Sequence, residues 1–215
     1  MSVADNKRQM ILLIASSLVI AGSIAAIYQT QYASPRNERL RPHVAVGEAL
    51  AAEVARLVGN QGQIVIVSED IAQSRELRAE VEAFRSSLQK LGSITIAATE
   101  TCRIPARSSY RSVPSGDLMD LFRRYPRVNA IVSFAGAPAL DQTQVASLDK
   151  KRPAFAAVCR VRIGLDRLFA QEVIHVAVVP RFVYPAPVTE LKTNREWFDK
   201  FYQVVRGEGD LGATK

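Results

Sequence analysis

The sequence predicts an α/β domain, a doubly wound parallel five-stranded sheet with helices on both faces, behind one N-terminal transmembrane helix. Three observations predict it. Residues 9–34 carry no charge, and Met10–Tyr28 is almost wholly apolar. Five short apolar runs follow, each fit to be a strand buried on both faces. Amphipathic stretches with apolar residues three and four apart separate these runs, which is the pattern of helical crossovers in a parallel sheet.

The N-terminal run comes first. A bilayer core of roughly 30 Å needs about 20 apolar residues at 1.5 Å rise, and Met10–Tyr28 is of that length. It has no polar face to turn to water, so it would make a poor soluble helix. Lys7 and Arg8 precede it; Arg36, Glu38, Arg39 and Arg41 follow. A cleaved signal peptide is the competing reading, with Ser23-Ile24-Ala25 as its exit. Against it, the apolar run continues through Tyr28, and Tyr28 and Tyr32 stand where interfacial aromatics would. Charge counting on the two flanks does not decide orientation. The expected organisation is a basic flank at 1–9, an anchor at 10–32 in contact with lipid, a linker at 33–45, an α/β lobe at 46–182 and a tail at 183–215.

The lobe opens with a helix over Leu40–Val58, with Val46, Leu50, Val54, Leu57 and Val58 on one face and Glu48, Glu53 and Arg56 on the other. Gly59-Asn60-Gln61-Gly62 ends it. Ile64–Val67 is the first strand. Ser74–Leu91 is a helix carrying Leu77, Val81, Phe84 and Leu88, closed by Gly92. Ile94–Thr99 is the second strand, and Arg103–Gly116 a long polar loop. Asp117–Tyr125 is a helix, Ala130–Phe134 the third strand, Asp141–Leu148 a helix, Ala154–Val158 the fourth strand, Ile163–Gln171 a short helix and His175–Val179 the fifth strand. Crossovers in such a sheet are right-handed. After Pro185 and Pro187 a last helix, Asn194–Val205, presents Trp197, Phe198, Phe201, Val204 and Val205. This stripe packs either on the lobe or on a partner.

Composition excludes several functions. The chain has 28 Lys and Arg against 21 Asp and Glu, a net charge of +7. The excess is spread out, without the stripe of basic and aromatic residues that nucleic-acid binding requires. A basic face toward anionic headgroups or an acidic partner is expected instead. His43 and His175 are far apart, and Cys102 and Cys159 form no CxxC, so no metal and no cofactor is expected. No nucleophile elbow or Ser/His/Asp order is present, and the protein is not expected to be an enzyme.

The candidate site lies at the carboxyl ends of the strands, where open α/β sheets bind ligands. Glu69 and Asp70 follow strand one; Asp70 reads better as a cap or turn residue. Arg103, Arg107 and Arg111 lie on the long loop after strand two and suit an acidic partner or an anionic ligand. Gly136, in Ser133-Phe134-Ala135-Gly136-Ala137-Pro138, is either a ligand contact or part of a tight turn. Cys159 ends strand four. Trp197, Phe198 and Phe201 are candidate partner contacts in the tail.

Two stretches carry a family resemblance. The first is Gly47-Glu48-Ala49-Leu50-Ala51-Ala52-Glu53-Val54-Ala55-Arg56-Leu57-Val58, then Gly62-Gln63-Ile64-Val65-Ile66-Val67, with Glu82-Ala83-Phe84 downstream. The second is Leu121-Phe122-Arg123-Arg124-Tyr125-Pro126-Arg127-Val128-Asn129-Ala130-Ile131-Val132. Over Gly47–Arg181 the chain resembles the C-terminal lobe of type I periplasmic sugar-binding proteins. The resemblance implies a flavodoxin-like strand order 2-1-3-4-5 and a lobe on the outer face of a bacterial inner membrane. The departures matter too. Glu80 stands where the family often has Arg, Ala135-Gly136-Ala137-Pro138 where it has an Asn-Asp pair, and Cys159 where it has Asp. These changes imply that sugar binding has been lost. The implied order also puts Cys102 and Cys159 three strands apart, roughly 14 Å at about 4.8 Å per step. That is beyond the roughly 7 Å between Cα atoms that a disulfide spans, so two free thiols are expected.

The functional expectation is a non-catalytic, single-pass membrane-anchored accessory subunit of a larger membrane protein complex of transport, respiratory or photosynthetic type. The alternative is a membrane-tethered receptor for a small anionic or sugar-like solute. A third possibility is an enzyme, whose mark would be convergent titratable groups at the strand ends.

Overall fold

Strands alternate with helices from residue 61 to residue 180, and a helix and a strand follow them. The structure, a computed structural model, describes residues 14–24, 34–104, 111–181 and 191–207. The chain divides into two units, 1–40 and 41–215.

In the first unit, residues 14–24 form a helix, α1, exposed along its whole length. Its large apolar side chains, Ile14, Leu18, Val19, Ile20 and Ile24, are 54–69 % exposed. No helix among the described residues is long and apolar enough to cross a membrane. The expected span 10–32 is described only over 14–24; its remaining residues lie outside the described ones, as does the basic flank 1–9.

Helix α2, Ser34–Leu57, begins earlier than expected, so the stretch read as a linker is helical from Ser34. Pro42 lies inside it, one residue past the start of the second unit. A proline there removes one helical hydrogen bond. From Ala45 onward α2 buries Val46, Leu50, Ala51 and Val54. Glu53, expected on the outer face, is buried instead: Arg206 and Arg56 both donate to its carboxylate at 2.8–2.9 Å.

The elements that follow are β1 (Gln61–Ser68), α3 (Arg75–Leu88), β2 (Ser93–Thr101), β3 (Ser112–Pro114), α4 (Ser115–Arg124), β4 (Ala130–Ser133) and β5 (Ala137–Ala139). Then come α5 (Gln142–Ala146), β6 (Ala154–Val158), α6 (Leu165–Ala170), β7 (Val176–Pro180), α7 (Asn194–Phe201) and β8 (Tyr202–Arg206). Ser74 caps α3 by accepting from the Leu77 N–H, and Asp141 and Thr193 start α5 and α7 with capping boxes.

The main sheet has six strands in the order β2-β1-β4-β6-β7-β8. This corrects the expected five-stranded, all-parallel sheet. The first five pair in parallel, and β8 adds antiparallel to β7, Tyr202 opposite Pro180. The helix expected over Asn194–Val205 therefore stops at Phe201. Its last residues, with the β-branched pair Val204-Val205, form strand instead, because pairing with β7 protects that strand's edge. A second correction concerns the loop Arg103–Gly116 and the turn at Ala137-Pro138. Ser112–Pro114 and Ala137–Ala139 pair as a small parallel sheet.

Alternate residues of each strand feed two cores. Ile64, Ile66, Val132 and Val158 face α2, α3 and Phe198 of α7. Val65, Val67, Ile131 and Phe155 face Leu118 and Leu121 of α4 and Leu165, Leu168 and Phe169 of α6. Helices therefore cover both faces. Gly47 sets the approach of α2 to α3: a Cβ there would lie 2.2 Å from the Glu80 carbonyl oxygen.

Candidate functional site

The carboxyl ends of β1, β2, β4 and β6 form one edge of the lobe. After β1, Glu69 Oε1, itself buried, lies 3.0 Å from Arg111 Nη1, an ion pair between partly exposed side chains without the alignment of a hydrogen bond. Asp70 makes a turn, accepting from the Ala72 N–H at 2.9 Å and from Gln73 Nε2 at 3.0 Å. Arg103 is exposed. It lines a cleft of about 650 Å³ with Glu69, Asp70, Gln73, Thr101 and Arg111. Arg107 lies outside the described residues.

Gly136 joins this edge for a backbone reason. Its φ is 102°, and a Cβ would sit 2.2 Å from the Arg111 carbonyl oxygen. Only glycine lets the chain after β4 approach that closely, and the approach allows β5 to pair with β3. The Ser133 hydroxyl steadies the bend, donating to the Gly136 carbonyl at 2.8 Å and accepting from the Ala135 N–H at 3.2 Å.

Both cysteines are free and buried. Burial pushes the Cys159 thiol up to about 12. It pushes Cys102 up to about 11, with Asp117 and Glu69 adding to the effect. Neither is a nucleophile in the ordinary pH range, since the thiolate is the reactive form. Cys102 follows β2 and Cys159 follows β6, three places apart in the sheet, as expected of two unbridged thiols.

Tail residues divide. Phe198 is buried in the core, while Trp197 and Phe201 are partly exposed and stack at 5.5 Å between centroids.

The group that sequence reasoning missed is Glu80. Its side chain is fully buried, although it is a carboxylate. Oε1 meets His43 Nδ1 at 2.7 Å and accepts from Arg160 Nη2 at 3.2 Å; Oε2 is buried without a hydrogen-bond partner. One acid thus ties α2, α3 and the end of β6 together. Tyr202 stands near, its phenol pushed up by burial, with Glu80 adding and Arg160 opposing. A signal was present: Glu80 sits between Leu77, Val81 and Phe84, inside the apolar stripe of α3. A charge there is either exposed by a gap or bound to a partner.

His175 plays a structural part. Its Nδ1 accepts from the Phe155 N–H at 3.2 Å, and burial, with Arg152 adding, holds its pKa below the ordinary value. No group of three or more His, Cys, Asp or Glu residues that could hold a metal ion occurs among the described residues.

Comparison with solved structures places the lobe in a known architecture. It superposes on a sugar-binding protein of a sugar ABC transporter from Bacillus halodurans with a TM-score of 0.56 at 14% identity, covering 79% of this chain and 63% of that one. A solute-binding protein of an ABC transporter from Burkholderia graminis C4D1M, in complex with D-arabinose, gives 0.54 at 15%, covering 80% and 62%. XylFII in the XylFII–LytSN complex gives 0.53 at 14%, covering 79% and 61%. The chain therefore spans under two thirds of the length of these proteins, and the likeness is one of fold: the lobe has the type I periplasmic binding-protein architecture. No family model matches the chain, and no curated protein matches it.

Proposed function

We propose that this chain is a non-catalytic, membrane-anchored accessory subunit whose binding-protein-like lobe contacts other proteins of a membrane complex. One observation carries the reading: the carboxylates Glu69 and Glu80 are already held by the protein's own basic side chains. Arg111 holds Glu69, and His43 and Arg160 hold Glu80. A sugar site needs polar groups fixed by the protein yet left open to the ligand's hydroxyls. The turn at Gly136 and the small β3–β5 sheet further occupy this edge with backbone.

The anchor belongs to the same proposal. Residues 14–24 form a helix exposing apolar side chains all along it, and such a surface is stable in lipid rather than water. The lobe's architecture, that of extracytoplasmic binding proteins, supports placing it on the outer face. The XylFII–LytSN complex supports protein contact as a use for such a lobe.

The receptor reading has one observation in its favour, the cleft lined by Arg103 and Arg111. Titration calorimetry of the full chain in detergent, against D-arabinose and against inorganic phosphate, separates the two. The accessory reading expects no saturable heat with either. Saturation below about 0.1 mM, the affinity of a working site, would replace it with the receptor.

A further inference from the structure

Strand β8 ends the main sheet, so one of its edges has no neighbouring strand among the described residues. Gln203, Val204, Val205 and Arg206 all line one cleft of about 570 Å³. Successive side chains of a strand point to opposite faces, so a cleft lined by four in a row runs along the strand's edge rather than over a face. Main-chain groups turn the same way. The Tyr202 N–H donates to the Phe198 carbonyl, and the Tyr202 carbonyl accepts from Arg181 Nε at 2.8 Å. Hydrogen-bonded and non-bonded pairs alternate along an antiparallel ladder, so the peptide groups of Val204, two residues on, also turn away from β7.

This cleft is basic. Arg56, Arg162, Arg181, Arg195 and Arg206 line it, against two carboxylates, Glu53 and Asp199. Both carboxylates are committed: Arg56 and Arg206 share Glu53 at 2.8–2.9 Å, and Arg195 meets Asp199 at 2.8 Å. Five guanidinium groups against two carboxylates leave an excess of three positive charges in the cleft. Arg162 and Arg181 supply two of them, since neither has an ion pair among the described residues. They follow β6 and β7, which are neighbours in the sheet. A concave wall of one sign focuses the field and draws in the opposite charge.

An open strand edge is a template for another chain, and charge selects which chain. A second copy of this protein would bring the same arginines to the contact, and like charges placed together oppose pairing. Lipid headgroups would answer the charge but not the strand edge; an extended acidic peptide answers both.

We infer that an extended acidic segment of a partner protein lies in this cleft, its main chain adding to the edge of β8 at Val204 and its carboxylates meeting Arg162 and Arg181. The inference rests on the accessory-subunit reading and names the surface and the partner chemistry that reading requires.

The test places a photoreactive benzophenone side chain at Gln203 in the full chain in its native membranes. The control position is Ala97, exposed on β2 at the other edge of the sheet. Expected is an adduct to another protein from position 203 alone, whose linked peptide is net acidic. Arg162→Glu should cut its yield at least about fivefold with an unchanged unfolding midpoint. Arg127→Glu, the same charge change at an exposed site outside the cleft, should leave the yield unaltered. About 0.5 M NaCl should lower it by screening. The inference is overturned by equal adducts at 203 and 97, by a lipid adduct, by an adduct within this chain or to a second copy of it, by a linked peptide that is not acidic, or by an effect of Arg162→Glu no larger than that of Arg127→Glu. Co-purification from the same membranes keeps the two claims apart. A complex that co-purifies without an adduct at 203 overturns the inference and leaves the accessory reading standing; no complex removes both.

Discussion

Replacing Glu80 tests whether the carboxyl edge is bound up in internal pairing. Breaking a buried ion pair by removing one partner costs about 3–5 kcal/mol, because the other charge is left uncompensated. Here the partners are not fully buried: the His43 and Arg160 side chains are 17% and 34% exposed. Water can reach both, which lowers the electrostatic loss to about 1–2 kcal/mol. Truncation to alanine also removes one buried methylene, about 0.8 kcal/mol. Glu80→Ala should therefore cost about 2–3 kcal/mol, or about 4–12 °C in unfolding midpoint for a domain of this size. Glu80→Gln, which keeps the shape and loses the charge, should cost about half as much. Calorimetric or fluorescence-detected melting of the full chain in detergent reads both, and a double-mutant cycle with His43→Ala should show at least about 1 kcal/mol of coupling. A loss under about 1 kcal/mol for Glu80→Ala, additive with His43→Ala, would refute the reasoning.

Three further outcomes follow from particular contacts. Gly47→Ala would gain about 1 kcal/mol of helix propensity at an open site, but its Cβ meets the Glu80 carbonyl oxygen at 2.2 Å and the Phe84 nitrogen at 2.9 Å. Overpacking against backbone should win, for a net loss of about 1–2 kcal/mol by melting. The folded pKa of His175 is depressed by burial, so below its ordinary value of about 6.5 the unfolded chain takes up a proton that the folded chain refuses. The stability this residue contributes is complete above that pH and is lost as pH falls toward the folded pKa; His175→Asn should flatten melting midpoints between about pH 5 and 7. Cys102 and Cys159, buried and with raised pKa values, should alkylate with iodoacetamide only after unfolding, and a reductant should leave the melting curve unchanged.

The α/β alternation was legible because each parallel strand is an uninterrupted apolar run between helices of clear period, as in Ile64–Val67 and Ala154–Val158. Sheet β3–β5 was not, since three residues a side, two of them proline, fall below any periodic signal. Strand β8 was hidden by the helix before it. Trp197, Phe198, Phe201, Val204 and Val205 keep helical spacing, and only pairing with β7 tells Tyr202–Arg206 apart from more helix. At the candidate site, Glu69 and Arg111 were both read as crevice residues, and the fold brings them together. Glu80 was visible as a charge inside an apolar stripe, but its partners are 37 and 80 residues away in sequence. Local pattern carries no information at that separation; the packing of α2 on α3 creates the contact.

Quantitative co-purification tests the central claim most directly. Membranes containing the full chain at native abundance are solubilised in mild detergent, the chain is isolated, and its companions are identified and counted. The account predicts a stoichiometric membrane protein partner that stays through size exclusion. A chain that elutes alone, and then binds D-arabinose or phosphate saturably, would contradict it.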